Sequence, residues 1–151
     1  VTSPVSPQPG PKPVLDLAAA RHLLNSQPFS RLLGARITAF GDGGATLEVD
    51  IREDLHQQNG FLHGGVLAYA ADNALTFAAG AVLGPSVLTG GFSIQYLRPA
   101  TGRTLRARAT VVHAGRRQAV TRCDLLTVAD DEETLCAVAQ GTVLPVTPRT
   151  S

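Results

Sequence analysis

The sequence predicts an α+β domain, a six-stranded antiparallel sheet wrapped around one long buried helix, and three observations carry that prediction. Val66 to Leu83 holds no Lys, Arg or Glu and a single charged side chain, Asp72; a helix that is apolar on every side has to be buried. Six further runs are rich in apolar and β-branched residues and are bounded by turn residues, as strands are. The turns after the long apolar run are short, which favours antiparallel neighbours. A sheet packed on a helix satisfies the layer rule for such a set of elements. A chain of 151 residues is expected to form one domain with a core of useful size.

Taken in order, Val1 to Pro13 is rich in Pro and Ser and lacks the basic and apolar stretches of a signal peptide. It reads as a flexible lead-in to a domain spanning 14–151. Val14 to Ser26 reads as a helix with Leu15, Ala18, Ala19, His22 and Leu23 on one face, closed by Pro28. Phe29 to Leu33 forms a further turn that Gly34 ends. Ala35 to Phe40 and Ala45 to Ile51 are strands joined by Gly41-Asp42-Gly43-Gly44, a hairpin signal. Thr46, Glu48 and Asp50 alternate with apolar residues, so one face of the second strand is expected to be wet. Arg52 to Leu62 is irregular and leads into a helix that starts at His63 and stops at Gly84-Pro85. Four strands follow, Val87 to Leu97, Thr104 to His113, Gln118 to Ala129 and Thr134 to Val143, with turns at Pro99-Ala100-Thr101-Gly102, Ala114-Gly115-Arg116-Arg117 and Asp130-Asp131.

Composition excludes several classes of function. Thirteen basic residues face twelve acidic ones, so no nucleic-acid surface is expected. Cys123 and Cys136 sit in strand-like runs and read as buried, reduced thiols of a cytoplasmic protein. The long helix has the length of a membrane span. However, it is Ala- and Gly-rich, carries Asp72-Asn73 at its centre and lacks basic flanks, so it reads as a core helix. No His-Glu-x-x-His, Cys cluster, P-loop or Gly-x-Ser-x-Gly elbow is present. No metal and no cofactor are expected.

Chemistry concentrates at His63-Gly64-Gly65 and Asp72. A glycine-led helix start offers backbone N–H groups to an anion or a polarised carbonyl. A lone carboxylate in an apolar helix is costly unless something uses it. The run Gln57-x-x-Gly60-x-x-His63-Gly64-Gly65 with Asp72, and the later Tyr96-Leu97-Arg98-Pro99-Ala100, resembles the hotdog-fold acyl-CoA thioesterases of the PaaI type. The resemblance runs from about Leu32 to Leu144. It implies that the Gly64 N–H polarises the thioester carbonyl and that Asp72 activates water or attacks the carbonyl. It also implies that the Thr76 and Thr89 hydroxyls assist the carboxylate. Gln57 stands where many PaaI-type members carry Asn and looks more like the Gln-bearing 4-hydroxybenzoyl-CoA thioesterases; it orients water or carbonyl, or is an exposed loop amide.

His63 reads as a helix cap, with acid/base catalysis, as in hotdog dehydratases, the alternative. Gly65 and Asn59 are substrate-side candidates, although Asn59 and Asn73 also read as structural. Tyr69 and Phe77 read as core or acyl-pocket wall. Arg116 and Arg117 are candidates for the phosphates of coenzyme A, the other reading being a solvated hairpin tip; Arg98 and Arg103 are further candidates. The expected function is acyl-CoA hydrolysis, coenzyme A being part of the substrate, with a hotdog hydratase or a non-catalytic acyl-CoA binder as rivals.

Spacing adds a constraint. Eight residues of α-helix span about 12 Å, whereas an oxyanion needs its donor at about 2.7–3.1 Å and water needs its base at about 2.6–3.2 Å. Gly64 and Asp72 of one chain therefore do not serve one carbon easily. Antiparallel packing of two copies brings Gly64 of one to Asp72 of the other. A homodimer with composite sites is expected, which also covers the second side of the apolar helix; a homotetramer is left open.

Overall fold

The computed structural model describes residues 15–147, and the Val1 to Pro13 segment lies outside them. Two short helices come first, α1 (Leu17–Asn25) and α2 (Pro28–Leu33), then β1 (Arg36–Gly41) and β2 (Gly44–Asp50). A single 3-10 turn, Glu53–Leu55, precedes the long helix α3 (Gly64–Leu83). The remaining strands are β3 (Val87–Tyr96), β4 (Thr104–Ala114), β5 (Ala119–Ala129) and β6 (Glu132–Pro145).

Asp16 caps α1 by accepting the Ala19 N–H at 2.8 Å, so the helix starts three residues later than its apolar pattern suggests. Ala20 and Leu24, with Leu17 beside them, form its buried stripe against the core. The expected face of Leu15, Ala18, Ala19, His22 and Leu23 is thus rotated, because the Arg21 guanidinium ties the helix to the Ile37 carbonyl of β1 at 2.9 Å. Pro28 occupies the first turn of α2 rather than only closing α1. Gly34 ends α2 at φ +70°, a left-handed cap that costs glycine nothing. The β1–β2 turn places Asp42 and Gly43 at φ 52° and 70°, the signs of a two-residue hairpin turn matched to strand twist.

All strand pairs are antiparallel, in the order β1-β2-β4-β5-β6-β3. The short turn between β3 and β4 therefore does not join neighbours. β3 lies on the far edge beside β6, and Leu97 to Arg103 crosses the end of the sheet, held by Leu97 N–H to Cys136 C=O (2.8 Å) and Arg103 N–H to Val128 C=O (3.0 Å).

A second expectation fails at Glu48, which is 8% exposed. Arg36 and Arg106 from the flanking strands approach its carboxylate at 3.8 and 3.6 Å and roof it over. Cys123 and Cys136 are both buried and unbridged.

α3 touches all six strands. Leu67, Ala70, Ala71, Ala74, Leu75 and Ala78 are fully or almost fully buried, sharing one core with Leu47, Val49, Leu105 and Leu125. By length and composition α3 would cross a membrane, but more than half of it is buried in this core. Part of its second side is covered from within the chain. The Tyr69 hydroxyl donates to Ser30 Oγ at 2.6 Å, and Asn73 Nδ2 reaches Gln27 Oε1 at 3.3 Å, joining α3 to α2.

Candidate active site

His63 sets the start of α3. Its backbone is extended (φ −61°, ψ 134°), and its Nδ1 accepts the Gly65 N–H at 2.8 Å. The imidazole thus does the work of an Asn or Asp cap. Gly65 is required by this contact, since a Cβ there would lie 2.9 Å from His63 Nδ1. Its N–H is bonded to the cap, so Gly65, a substrate-side candidate, does not present that N–H to a substrate. The Gly64 N–H has no acceptor among the described residues. It points out of the positive end of a 20-residue helix. Tyr96 fixes the next peptide, Gly64–Gly65, from β3. Its hydroxyl donates to the Gly64 carbonyl at 2.9 Å, and its ring lies 3.4 Å from where a Gly64 Cβ would be.

Gly64 and Tyr96 line a cleft of about 340 Å³ with Gln57, Leu67, Arg98 and Pro99. The loop and the sheet-crossing segment meet there because the Leu62 N–H bonds the Ala100 carbonyl at 3.1 Å. Within the loop, Gln57 Oε1 accepts the Asn59 N–H. That bond leaves the Gln57 Nε2 donors for the cleft and gives Asn59 a loop-shaping part through its backbone.

Asp72 stands two turns on and does not line this cleft. Its Oδ1 accepts the Thr89 hydroxyl at 2.6 Å; Thr89 Oγ1 is 2.6 Å from Thr76 Oγ1, and Thr76 is 2.7 Å from the Asp72 carbonyl. Helix spacing of four residues puts Thr76 over Asp72. Thr89 reaches them from β3 because a bulge follows it, between Thr89 and Gly91. Just beyond that bulge, where Phe92 pairs with Gly141, a Cβ on Gly141 would meet the Gly91 oxygen at 2.7 Å, so β6 has to be glycine there. Asp72 Oδ2 accepts no hydrogen bond among the described residues, which leaves one carboxylate oxygen for a water or an acyl group.

Strand register separates the arginines. Ala119, two residues after Arg117, aligns through Val143 with Thr89. Arg116 and Arg117 are therefore at the Thr89 end of the sheet, whereas Arg98 is in the Gly64 cleft. Sequence reasoning gave Tyr96 no part at the helix start; its place in the Tyr96-Leu97-Arg98-Pro99 run was the available signal. Among the described residues no three His, Cys, Asp or Glu side chains cluster as metal ligands would.

A six-stranded antiparallel sheet around a central helix with a glycine-led start defines a hotdog fold. The profile of the thioesterase superfamily matches residues 59–134, and the chain belongs to that superfamily. The crystal structure of a thioesterase family protein from Silicibacter pomeroyi is 32% identical, with a TM-score of 0.81 over 85% of this chain and 96% of that one. The phenylacetic acid degradation protein PaaI from Thermus thermophilus, solved as a mutant, is 30% identical with a TM-score of 0.70, covering 80% of this chain and all of that one (100%). A 1,4-dihydroxy-2-naphthoyl-CoA hydrolase of Listeria monocytogenes is 26% identical over 74% of this chain and 89% of its own length. The protein is an enzyme of the thioesterase type, PaaI-like in sequence and fold.

Proposed function

We propose that this enzyme hydrolyses an acyl- or aryl-CoA thioester to the carboxylic acid and coenzyme A in the cytoplasm. The observation that carries the reading is the pairing on one helix of an unclaimed Gly64 N–H with an Asp72 carboxylate held by two threonines. The Gly64 N–H and Gln57 Nε2 receive the thioester oxygen and stabilise the charge that builds on it. Asp72 Oδ2 takes a proton from water as the water oxygen bonds to the carbonyl carbon. Collapse of the tetrahedral adduct breaks the C–S bond, and the proton passes to the departing thiolate of coenzyme A. Attack by Asp72 itself, through an anhydride, is the alternative first step. Either route balances without a metal or redox cofactor.

The two groups are supplied by two copies of the chain. Along α3 they lie about 12 Å apart, and only Gly64 lines the cleft. The outer edge of β3 offers the surface for a homodimer. Val87–Tyr96 has no partner beyond β6 among the described residues, and none of its ten residues is charged or proline. Protein edges left so unguarded are templates for strand pairing. In the resulting site Arg98 comes from the Gly64 copy and Arg116-Arg117 from the Asp72 copy, as donors to the coenzyme A phosphates.

The test is mixed-dimer complementation. Asp72→Asn removes the base. Gly64→Pro removes the donor at a first helical position that tolerates proline. Each variant alone loses about 10²- to 10⁴-fold in kcat. Mixed and exchanged, half the dimers carry one intact site of two, restoring about a quarter of wild-type turnover. Full activity of Asp72→Asn would refute the base, and absence of restoration would refute the composite site.

A further inference from the structure

Gly64, Ala68, Asp72 and Thr76 follow one another at four-residue spacing along α3 and are only half-buried, whereas Val66, Leu67, Ala70, Ala71, Ala74 and Leu75 are buried in the core. Four residues advance an α-helix by about 6 Å and turn it by about 40°, so the half-buried four form one ridge. The adjoining positions Tyr69 and Asn73 are engaged within the chain, by Ser30 of α2 and by Gln27 at its cap. The ridge itself lies beside the free edge of the sheet. Tyr96 of β3 donates to the Gly64 carbonyl at 2.9 Å, and Thr89 of β3 donates to Asp72 Oδ1 at 2.6 Å. A second copy that pairs along β3 therefore meets this ridge.

Ala68 stands midway between Gly64 and Asp72 both in height and in angle, about 6 Å and about 40° from each. A two-fold axis that brings Gly64 of one copy to Asp72 of the other has to pass at the height of that midpoint, and the residue there faces itself. Packed helices lie about 8–10 Å apart. With Cα atoms about 2.3 Å from each helix axis, the wide end of that range leaves two facing Cα atoms about 5.4 Å apart. An alanine pair fills such a gap, and a larger side chain has to push the helices apart. At the same separation Gly64 of one copy and Asp72 of the other have Cα atoms about 7 Å apart, against about 12 Å within one chain.

We propose that Ala68 meets its own copy on the dimer axis and, by being small, sets the distance between the Gly64 N–H of one copy and the Asp72 carboxylate of the other. Ala68 is a positioning residue, acting on the reacting atoms only through the spacing of the two helices. Its role rests on the composite-site reading above and adds to it the residue about which the two copies turn.

Two measurements on the full chain test it. In Ala68→Cys the two new thiols face each other at a Cα separation inside the disulfide range of about 4.4–6.8 Å, while Cys123 and Cys136 are buried. Added diamide takes two electrons and two protons from the thiol pair as the S–S bond forms, and a non-reducing gel reads the covalent dimer. Ala81, half-buried on the same helix, lies about 20 Å from the axis, so its two copies are about 40 Å apart. Ala68→Cys is expected to cross-link at least about tenfold faster than Ala81→Cys. Equal rates overturn the inference.

The second measurement is thiol release from hexanoyl-, dodecanoyl- and benzoyl-CoA. Ala68→Val adds bulk twice on the axis and is expected to lower kcat about 10²-fold, the cost of about 1 Å of misplacement. Ala68→Gly removes bulk twice. Subunit exchange between these two variants makes half the dimers mixed, with one valine facing one glycine in place of two alanines. The mixture is expected to return to roughly half of wild-type turnover, above the mean of its two parents. Only a residue that faces itself is rescued by its own smaller variant in the other subunit. A mixture at the mean of its parents overturns the inference, as does Ala68→Val with wild-type kcat. Thiol release by the wild type from none of the three esters overturns the thioesterase reading, and the cross-link then decides the place of Ala68 without it.

Discussion

Replacing His63 separates a helix cap from a catalytic base. The residue makes three hydrogen bonds around the start of α3. Its N–H donates to the Leu55 carbonyl at 2.9 Å, its carbonyl accepts the Val66 N–H at 2.9 Å, and its Nδ1 accepts the Gly65 N–H at 2.8 Å. The first two are backbone bonds and survive any side chain. His63→Ala therefore removes one cap bond. Losing an N-cap costs about 0.5–2 kcal/mol. His63 is exposed, so water partly replaces the bond and about 1 kcal/mol is expected. For a chain of this size that lowers Tm by about 2–4 °C. His63→Asn places an oxygen where Nδ1 was and is expected to recover most of the loss. Activity in both variants should stay within about tenfold of wild type, because a removed general acid or base costs about 10²- to 10⁴-fold. Thermal unfolding by circular dichroism and thiol release from an acyl-CoA measure the two effects separately. His63→Asn with wild-type Tm and a hundredfold loss of kcat would refute a purely capping role and restore the acid/base role.

Tyr96→Phe removes the hydroxyl that holds the Gly64 carbonyl at 2.9 Å and keeps the ring beside Gly64. About one exposed hydrogen bond is lost, so Tm should move by little, while kcat falls about three- to tenfold as the Gly64–Gly65 peptide loosens and KM stays near wild type; an unchanged kcat would refute the positioning role. A third prediction concerns alkaline stability. Burial pushes the Cys123 thiol up to about 12, whereas an unfolded thiol titrates near about 8.5. Above that pH the unfolded chain releases a proton that the folded chain keeps, so stability is full below about pH 8.5 and falls as pH rises. The slope is about 1.4 kcal/mol per pH unit, or about 2 kcal/mol lost by pH 10. Cys136 and Tyr69, also raised by burial, act with the same sign. Urea unfolding from pH 7.5 to 10 measures it, Cys123→Ala should flatten the slope, and a flat wild-type profile would refute it.

Local chemistry made α3 legible: a run with one charge between His63-Gly64 and Gly84-Pro85 has no other stable place than a core. Both two-residue turns were legible as well, since Asp42-Gly43 and Asp130-Asp131 tolerate the positive φ they adopt. The pairing of Asp72 with Thr76, which the family resemblance implied, is a contact between residues four apart on one helix. What the sequence did not disclose depends on non-local pairing. β3 follows α3 in the chain but bonds β6, so the short β3–β4 link misled as a hairpin. Glu48 alternates like an exposed residue and is buried because Arg36 and Arg106 arrive from two other strands. Gln27 was given no part from the sequence; only the packing of α2 on α3 turns its amide towards Asn73.

The position of Thr89 ties the candidate site to the edge of the sheet. The same strand carries the hydroxyl bonded to Asp72 and the outer edge without a partner. Its bulge at Gly90 turns Thr89 towards α3. A bulge also bends its strand and increases the local twist. Thus any second copy that pairs along β3 registers against the bend that aims Thr89, and the geometry of pairing and the geometry of the carboxylate cluster are set together. On the proposed composite site this makes association part of catalysis. Strand pairing would bring the Gly64 donor of one copy to the Asp72 oxygen of the other, and it would do so through the strand that already holds that carboxylate in place. A single chain keeps its donor and its base about 12 Å apart.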